Sequence, residues 1–308
     1  MSFFSIILTT YNQIELLKKC LSSVFNQSFK EFELIVIDNN STDGTSEYLK
    51  SIKDERLKIL KIHNEGMYVK SRNLGIRNSK TDWIAFIDSD DIWYPEKLKK
   101  CYEIIKQNDV DLIYHSVNYL NKKSYSKIIK EKSKKIDIPV EKYLYLNGNI
   151  IAQSSVVIKK RKIEQIGYFS EKKEMYGWED FDAWIRLSII SDKFYFLNTV
   201  LGALWFGKSN ISNIELMKNN LDSILNFYNS RCLSKYNFEI KSTWWFSYNQ
   251  SLYYFKNKKF KDALNYCKII PNCDFRFYIR LLYFKYFSIY MINSSFLIKT
   301  IKKIVNIN

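Results

Sequence analysis

The sequence predicts an α/β fold: a mostly parallel sheet flanked by helices, followed by an α-helical C-terminal part. Three observations carry this. Along the first two thirds of the chain, short apolar runs alternate with stretches of helical periodicity, the pattern of repeated βα units. All eight glycines lie at or before Gly207. Of the net charge of +16, residues 1–205 carry +5 and residues 206–308 carry +11. A composition break of this kind marks a change of architecture. Residues 1–207 are therefore read as one domain and residues 208–308 as a second, basic, aromatic and helical.

In order, Phe3 to Leu8 reads as a strand and Ile14 to Phe25 as a helix, with Leu16, Leu17, Leu21 and Val24 at helical spacing. Glu33 to Ile37 is a buried strand, Asp38 to Gly44 a turn, and a helix runs from there to about Ser51. A strand at Leu57 to Ile62, a helix at Val69 to Asn78 and a strand at Asp82 to Ile87 follow. Pro95 opens a helix to Gln107, where its fixed φ suits the first turn. The stretch Lys122 to Lys135, with seven lysines and one glutamate, reads as a solvated loop. In the last part, Tyr248 to Phe255 and Phe260 to Ile270, joined by Lys256 to Lys259, form an αα hairpin.

With 46% hydrophobic and 26% charged residues over 308 positions, the chain has material for a large core, which excludes general disorder. Five cysteines form no CxxC and are joined by only two histidines, so neither a zinc site nor a disulfide framework is expected, and a reducing cytoplasmic setting is. The opening segment lacks a basic leader and reads as a strand, not a signal peptide. No apolar run reaches the ~20 residues of a spanning helix; Tyr286 to Ile298 is broken by Asn293, Ser294 and Ser295.

In open α/β sheets ligands bind at the carboxyl ends of the strands, and the polar clusters of this sequence lie there. Thr9-Thr10-Tyr11-Asn12 follows the first strand, Asp38-Asn39-Asn40-Ser41-Thr42-Asp43-Gly44 the second, and Asp88-Ser89-Asp90-Asp91 the fourth. Acids this close raise one another's pKa unless a cation is bound. Oxygen ligands alone favour Mg²⁺ or Mn²⁺ with positions left open for phosphate oxygens. Helix capping would account for one of these acids, not for three.

These residues resemble the inverting family 2 glycosyltransferases of GT-A fold that build bacterial surface polysaccharides. The resemblance spans roughly residues 3 to 205. It rests on Ser5 to Asn12, Phe32 to Asp38 with Ser41 to Thr45, Asn64-Glu65-Gly66 with Ser71-Arg72-Asn73-Leu74-Gly75, Asp88 to Asp91, and Gly177-Trp178-Glu179-Asp180 followed by Trp184 to Leu187. It implies that Thr9, Tyr11, Asp38, Arg72, Asp88 and Ser89 bind the nucleotide sugar, with Tyr11 stacking on the base and Asp38 accepting from its edge. Arg72 offers the diphosphate a planar fork of donors. Asp90, with Asp88, would hold Mn²⁺ or Mg²⁺, and Asp180 would be the general base with Glu179 as helper. Trp178 would wall the acceptor sugar and Arg186 orient the acids. Many relatives carry Arg and His after the last strand, where this chain has Leu204 to Ser212, with Gly207 in the place of the His and Lys208 beside it. Metal binding then rests on Asp90 and phosphate oxygens, or Lys208 offsets phosphate charge.

The resemblance implies a nucleotide-sugar donor, with UDP-hexose or UDP-N-acetylhexosamine as the first candidates, and a polyprenyl-diphosphate-linked glycan acceptor. Phe275 to Phe287 interleaves bases with aromatics and continues to Lys299, Lys302 and Lys303, which suits an anionic membrane surface on the cytoplasmic side as well as a helical core. Two rival readings are a basic nucleic-acid-binding protein and a sugar-nucleotide-binding protein without catalysis. The first lacks any RNA-module or zinc-finger signature; against the second stand Asp88, Asp90 and Asp180. The donor sugar, the acceptor and the linkage are expected to depend on loops such as Ile150 to Ser155.

Overall fold

A computed structural model describes residues 2–64, 67–121, 124–130, 134–206, 214–267, 282–283 and 285–292. The first part runs β1 (Phe4–Thr10), α1 (Ile14–Phe25), β2 (Phe32–Asp38), α2 (Thr45–Ser51), β3 (Leu57–Lys61), α3 (Tyr68–Asn78) and β4 (Trp83–Asp88). These match the expected elements to within one or two residues, and β1, β2 and β4 are runs of side chains buried on both faces. Then come β5 (Ile92–Trp93), α4 (Lys97–Gln107), β6 (Leu112–Asn121), β7 (Ser124–Lys130), α5 (Val140–Asn147), β8 (Val157–Lys159), α6 (Lys160–Gln165), α7 (Glu179–Ile190) and β9 (Phe194–Phe206). The helices α8 (Ile214–Tyr236), α9 (Trp244–Lys256) and α10 (Phe260–Tyr266) follow.

One sheet of nine strands has the order β3-β2-β1-β4-β8-β6-β9-β5, with β7 on β6. Parallel pairing is confined to β3-β2-β1-β4 and to β6 with β9; β8 runs antiparallel to both β4 and β6. The sheet is thus mixed beyond β4. Nor is Lys122 to Lys135 a loop throughout: β7 pairs antiparallel with β6, Ile129 opposite Tyr119 and Ile128 opposite Leu120. Its lysines hid the β-branched Ile128-Ile129 pair, which suits a strand.

Register brings the polar strand ends together. Thr10 of β1 lies opposite Asp38 of β2, and Thr9 opposite Asp88 of β4. Helix α3 lies close on β1 and β2 at Gly75, where an added Cβ would sit 2.6 Å from Ile7 Cγ2 and 2.8 Å from Ile37 Cδ1. That contact has room only for glycine, and it sets the height of α3, with Arg72 and Tyr68 one and two turns earlier, above the strand ends.

Contacts divide the chain into two units, Met1–Glu141 with Asn149–Ser212, and Lys142–Gly148 with Asn213–Asn308. The segment Lys142–Gly148, which the composition break places in the first part, belongs to the second. Within that unit Tyr145 packs against Tyr228 and Tyr236, and Trp245 Nε1 donates to the Tyr145 carbonyl at 2.9 Å. Gly148, at φ +74, lets the chain turn against the Trp245 ring, 2.8 Å from where a Cβ would stand. The α9 and α10 hairpin stacks Tyr254 on Tyr266 with ring centroids 5.6 Å apart. No helix among the described residues is long and apolar enough to cross a membrane.

Candidate functional site

A cavity of about 290 Å³ opens over the carboxyl ends of β1 and β4. Thr9 and Tyr11 line it from the end of β1, Asp88, Ser89 and Asp90 from the end of β4, and Tyr68, Ser71 and Arg72 from α3. Tyr11 is 47% exposed, so its ring is a wall of the cavity and not part of the core. Ser89 donates to Gln13 Oε1 at 2.8 Å, which fixes the turn after β4.

Arg72 is the organising cation. It is buried, with one guanidinium nitrogen 3.2 Å from Asp88 Oδ1 and another 3.3 Å from Glu179 Oε1. Its guanidinium also lies 5.3 Å from the Phe169 ring and 5.4 Å from the Tyr68 ring. Burial opposes its charge, but the carboxylates of Asp88 and Glu179 outweigh that and hold its pKa above the ordinary value. Glu179 also accepts from Tyr68 Oη and from the Gly177 N–H, both at 2.9 Å. Both its oxygens are thus engaged, which makes Glu179 the anchor of Arg72 and Tyr68 and sets it apart from its neighbour.

That neighbour, Asp180, is half-buried in the first turn of α7. It accepts from Asn149 Nδ2 at 3.0 Å and from the Phe181 N–H at 2.7 Å. Burial, reinforced by Glu179 and opposed by Arg72, raises its pKa to about 7. A carboxylate poised near neutrality can take a proton and release it.

The acids after β4 divide by role. Asp88 and Asp90 face the cavity. Asp91 is turned into the protein, accepting from Ser154 Oγ at 2.5 Å and from the Trp205 N–H at 2.9 Å. Burial and the Asp88 charge push Asp90 up to about 6, as expected for an acid that gains by a bound cation. Two cavity-facing carboxylates fit Mn²⁺ or Mg²⁺ that completes its shell with ligand oxygens. Among the described residues no group of three or more His, Cys, Asp or Glu could hold a metal ion alone.

Other expected site residues lie elsewhere. Asp38 is fully buried, accepting from the Ser41 N–H at 3.0 Å and from Ser46 Oγ at 2.5 Å. It braces the turn into α2, and Asn39 lines the cavity in its place. Arg186 pairs with Asp182 at 2.6 Å and donates to the Ile166 and Tyr168 carbonyls, which staples α7 to the loop before it and keeps it from the acids it was expected to orient. Trp178 precedes α7 and meets Phe181 edge-on at 6.1 Å. Gly207 and Lys208 lie outside the described residues, as do Glu65 and Gly66. Sequence reading missed Tyr68 and Asn149, which carry no local motif, and reached Ser154 only as part of the loop Ile150 to Ser155.

The family model described as glycosyl transferase family 2 matches residues 5–167. The chain is 27% identical to the amylovoran biosynthesis glycosyltransferase AmsB of Erwinia amylovora, over 62% of this chain and 65% of that protein. It is 36% identical to the poly(ribitol-phosphate) beta-N-acetylglucosaminyltransferase TarP of Staphylococcus aureus, over 52% of this chain and 51% of that one. A glycosyltransferase of Methanocaldococcus jannaschii is 28% identical over 59% of this chain and 63% of its own length. Each of these relatives is matched over less than two thirds of its length. Among solved structures, S. aureus TarS residues 1–349 in complex with UDP-GlcNAc superposes with a TM-score of 0.58 at 19% identity, covering 82% of this chain and 80% of that one.

Proposed function

The chain belongs to glycosyl transferase family 2, and from that premise we propose that it transfers a sugar, with inversion, from a nucleotide diphosphate to a glycan hydroxyl in bacterial surface polysaccharide synthesis. The observation that carries the reading is the cavity in which Asp88 and Asp90 face Tyr11 and the buried Arg72, with Asp180 held beside Arg72's anchor Glu179. The exposed Tyr11 ring offers a stacking surface for a base. Arg72 offers the diphosphate a cation, and the cavity acids would meet it through a bound divalent metal. Mn²⁺ or Mg²⁺ held by Asp90 and Asp88 would offset the charge on the leaving diphosphate.

Inversion is an in-line displacement. The acceptor oxygen bonds to the anomeric carbon as the bond from that carbon to the diphosphate oxygen breaks, and the acceptor proton passes to Asp180. Asn149 and the Phe181 N–H hold that carboxylate in place. Because the TarS complex contains UDP-GlcNAc and TarP is a beta-N-acetylglucosaminyltransferase, UDP-N-acetylhexosamine and UDP-hexose are the proposed donors. A thermal-shift screen of nucleotide sugars with Mn²⁺ tests this. We expect stabilisation by UDP and UDP-sugars, and a protein indifferent to all nucleotides would overturn the reading.

The proposed acceptor is a polyprenyl-diphosphate-linked glycan, with the second unit meeting the anionic cytoplasmic membrane face. Most of Phe275 to Phe287, and Lys299, Lys302 and Lys303, lie outside the described residues. Within the described part, Phe287 packs on Phe255 at 5.3 Å while Tyr283, Tyr286 and Tyr290 are more than half exposed. Core packing and an outward aromatic row thus coexist on one stretch. The protein should float with anionic but not with neutral liposomes, and equal recovery from both would count against a charge-led surface.

A further inference from the structure

Arg72 spans two acids, and its two ion pairs differ in kind. Arg72 Nη1 meets Glu179 Oε1 at 3.3 Å, with both side chains almost fully enclosed, at 5% and 6% exposure. Glu179 is held further by Tyr68 Oη and by the Gly177 N–H. Arg72 Nη2 meets Asp88 Oδ1 at 3.2 Å, and the Asp88 side chain is 38% exposed on the cavity wall. Breaking the enclosed pair would strand a charge inside the protein, whereas a pair whose acid faces solvent contributes less and exchanges more readily. The Asp88 pair is therefore the one that an incoming anion can open.

Asp88 is also one of the two acids after β4 that face the cavity. The other, Asp90, has no cation beside it among the described residues. Asp88 Oδ1 is engaged by Arg72 and, at 3.5 Å, by the Thr9 hydroxyl. The carboxylate that would share a divalent ion with Asp90 is thus already neutralised by a guanidinium, and a second cation brought to it meets that positive charge at short range. A diphosphate changes this balance, because phosphate oxygens suit the planar fork of donors on Arg72 and draw its charge away from Asp88.

We infer that Arg72 couples the two ligands of this site: it holds Asp88 in an ion pair until the diphosphate of the nucleotide takes its guanidinium, and only then is Asp88 released to the divalent ion. The nucleotide binds first and the metal follows. The inference rests on the donor reading above and deepens it with an order of loading, in which each ligand raises the affinity for the other by the same factor.

The test reads binding and not transfer. In the full chain, Mn²⁺ affinity is measured from the paramagnetic signal of the free ion, with and without UDP and corrected for Mn²⁺ held by UDP in solution. UDP affinity is measured by calorimetry with Mn²⁺ and with EDTA. Wild type should bind UDP in EDTA, and UDP should tighten Mn²⁺ binding by roughly fivefold or more. In Arg72→Met, nucleotide-free Mn²⁺ binding should tighten by roughly fivefold or more while UDP binding in EDTA weakens about tenfold. Because methionine leaves Glu179 buried without its cation, Arg72→Met is also made together with Glu179→Gln, where the same gain in Mn²⁺ affinity is expected. In an Asp88→Asn background, Arg72→Met should leave Mn²⁺ affinity within about twofold, since the pair it would break is already gone.

Unchanged or weaker nucleotide-free Mn²⁺ binding in the folded Arg72 variants would overturn the inference. An equal gain in the Asp88→Asn background would do the same, because the charge would then act without Asp88. So would a wild type that binds UDP only once Mn²⁺ is in place, a result that needs no variant to fold. All three leave the donor reading intact. A wild type that binds no UDP with or without Mn²⁺ would instead overturn the donor reading, and this inference with it.

Discussion

Asp90→Asn is expected to lower sugar transfer by roughly 10³-fold or more and to remove the metal-dependent part of donor binding. The expectation follows from how the acids after β4 divide. Asp91 is committed to Ser154 and to the Trp205 N–H, so it cannot replace a lost cavity-facing carboxylate. Asp88 shares its Oδ1 with Arg72. Asp90 is the cavity acid with no described cation beside it, and its pKa, pushed up to about 6 by burial and by Asp88, marks a charge in want of one. Asparagine keeps the shape and removes the charge. Calorimetry with Mn²⁺ should show weak binding to the nucleotide-free wild type, because among the described residues two carboxylates, Asp88 and Asp90, face the cavity, and tighter binding once UDP is present. Near-normal transfer by the variant would remove Asp90 from this role, and tight Mn²⁺ binding without nucleotide would reject the shared coordination.

Most of the parallel half of the sheet was legible in the sequence because β1, β2 and β4 are buried on both faces, so Ile6-Ile7-Leu8, Leu34-Ile35-Val36-Ile37 and Ile84-Ala85-Phe86-Ile87 read as unbroken apolar runs. The cavity wall was legible for the same reason: Thr9, Tyr11, Asp88 and Asp90 are the first polar residues after those runs. The fate of polar groups within the wall was not. Asp38 and Asp88 occupy similar ends of the two parallel strands that flank β1, yet one is enclosed by Ser41 and Ser46 and the other meets Arg72. That difference depends on how the turn before α2 folds back, which is a tertiary fact. Arg186 reads as a partner for Glu179 and Asp180 until the helix is built; then Asp182, one turn away, takes it. Asn149 and Ser154 carry no motif, and their place follows from β8 pairing antiparallel between β4 and β6. The recruitment of Lys142–Gly148 into the helical unit was hidden because its signal is aromatic packing around Tyr145, not composition.

Asp180→Asn should reduce transfer by roughly 10²- to 10⁴-fold, the range for a lost general base, while leaving UDP affinity within about twofold of wild type. Both halves of that result are needed, since a general loss of binding would point to a collapsed site. In the wild type the pH profile carries the same assignment. Burial first, and Glu179 second, raise the Asp180 pKa to about 7, so the fraction able to accept a proton falls about tenfold for each pH unit below that value. Transfer measured at saturating donor should therefore climb from pH 5 toward 7 and level off above it. The linkage to stability has the opposite sense: a carboxyl that holds its proton more tightly folded than unfolded costs stability as pH rises from about 4 through 7. Asparagine at 180 removes that cost and can keep one of the hydrogen bonds from Asn149 or Phe181. The variant should thus show a Tm at pH 8 no lower than wild type, and its residual transfer should lose the rise between pH 5 and 7. A variant that retains both near-normal turnover and the wild-type pH profile would assign the base to another residue.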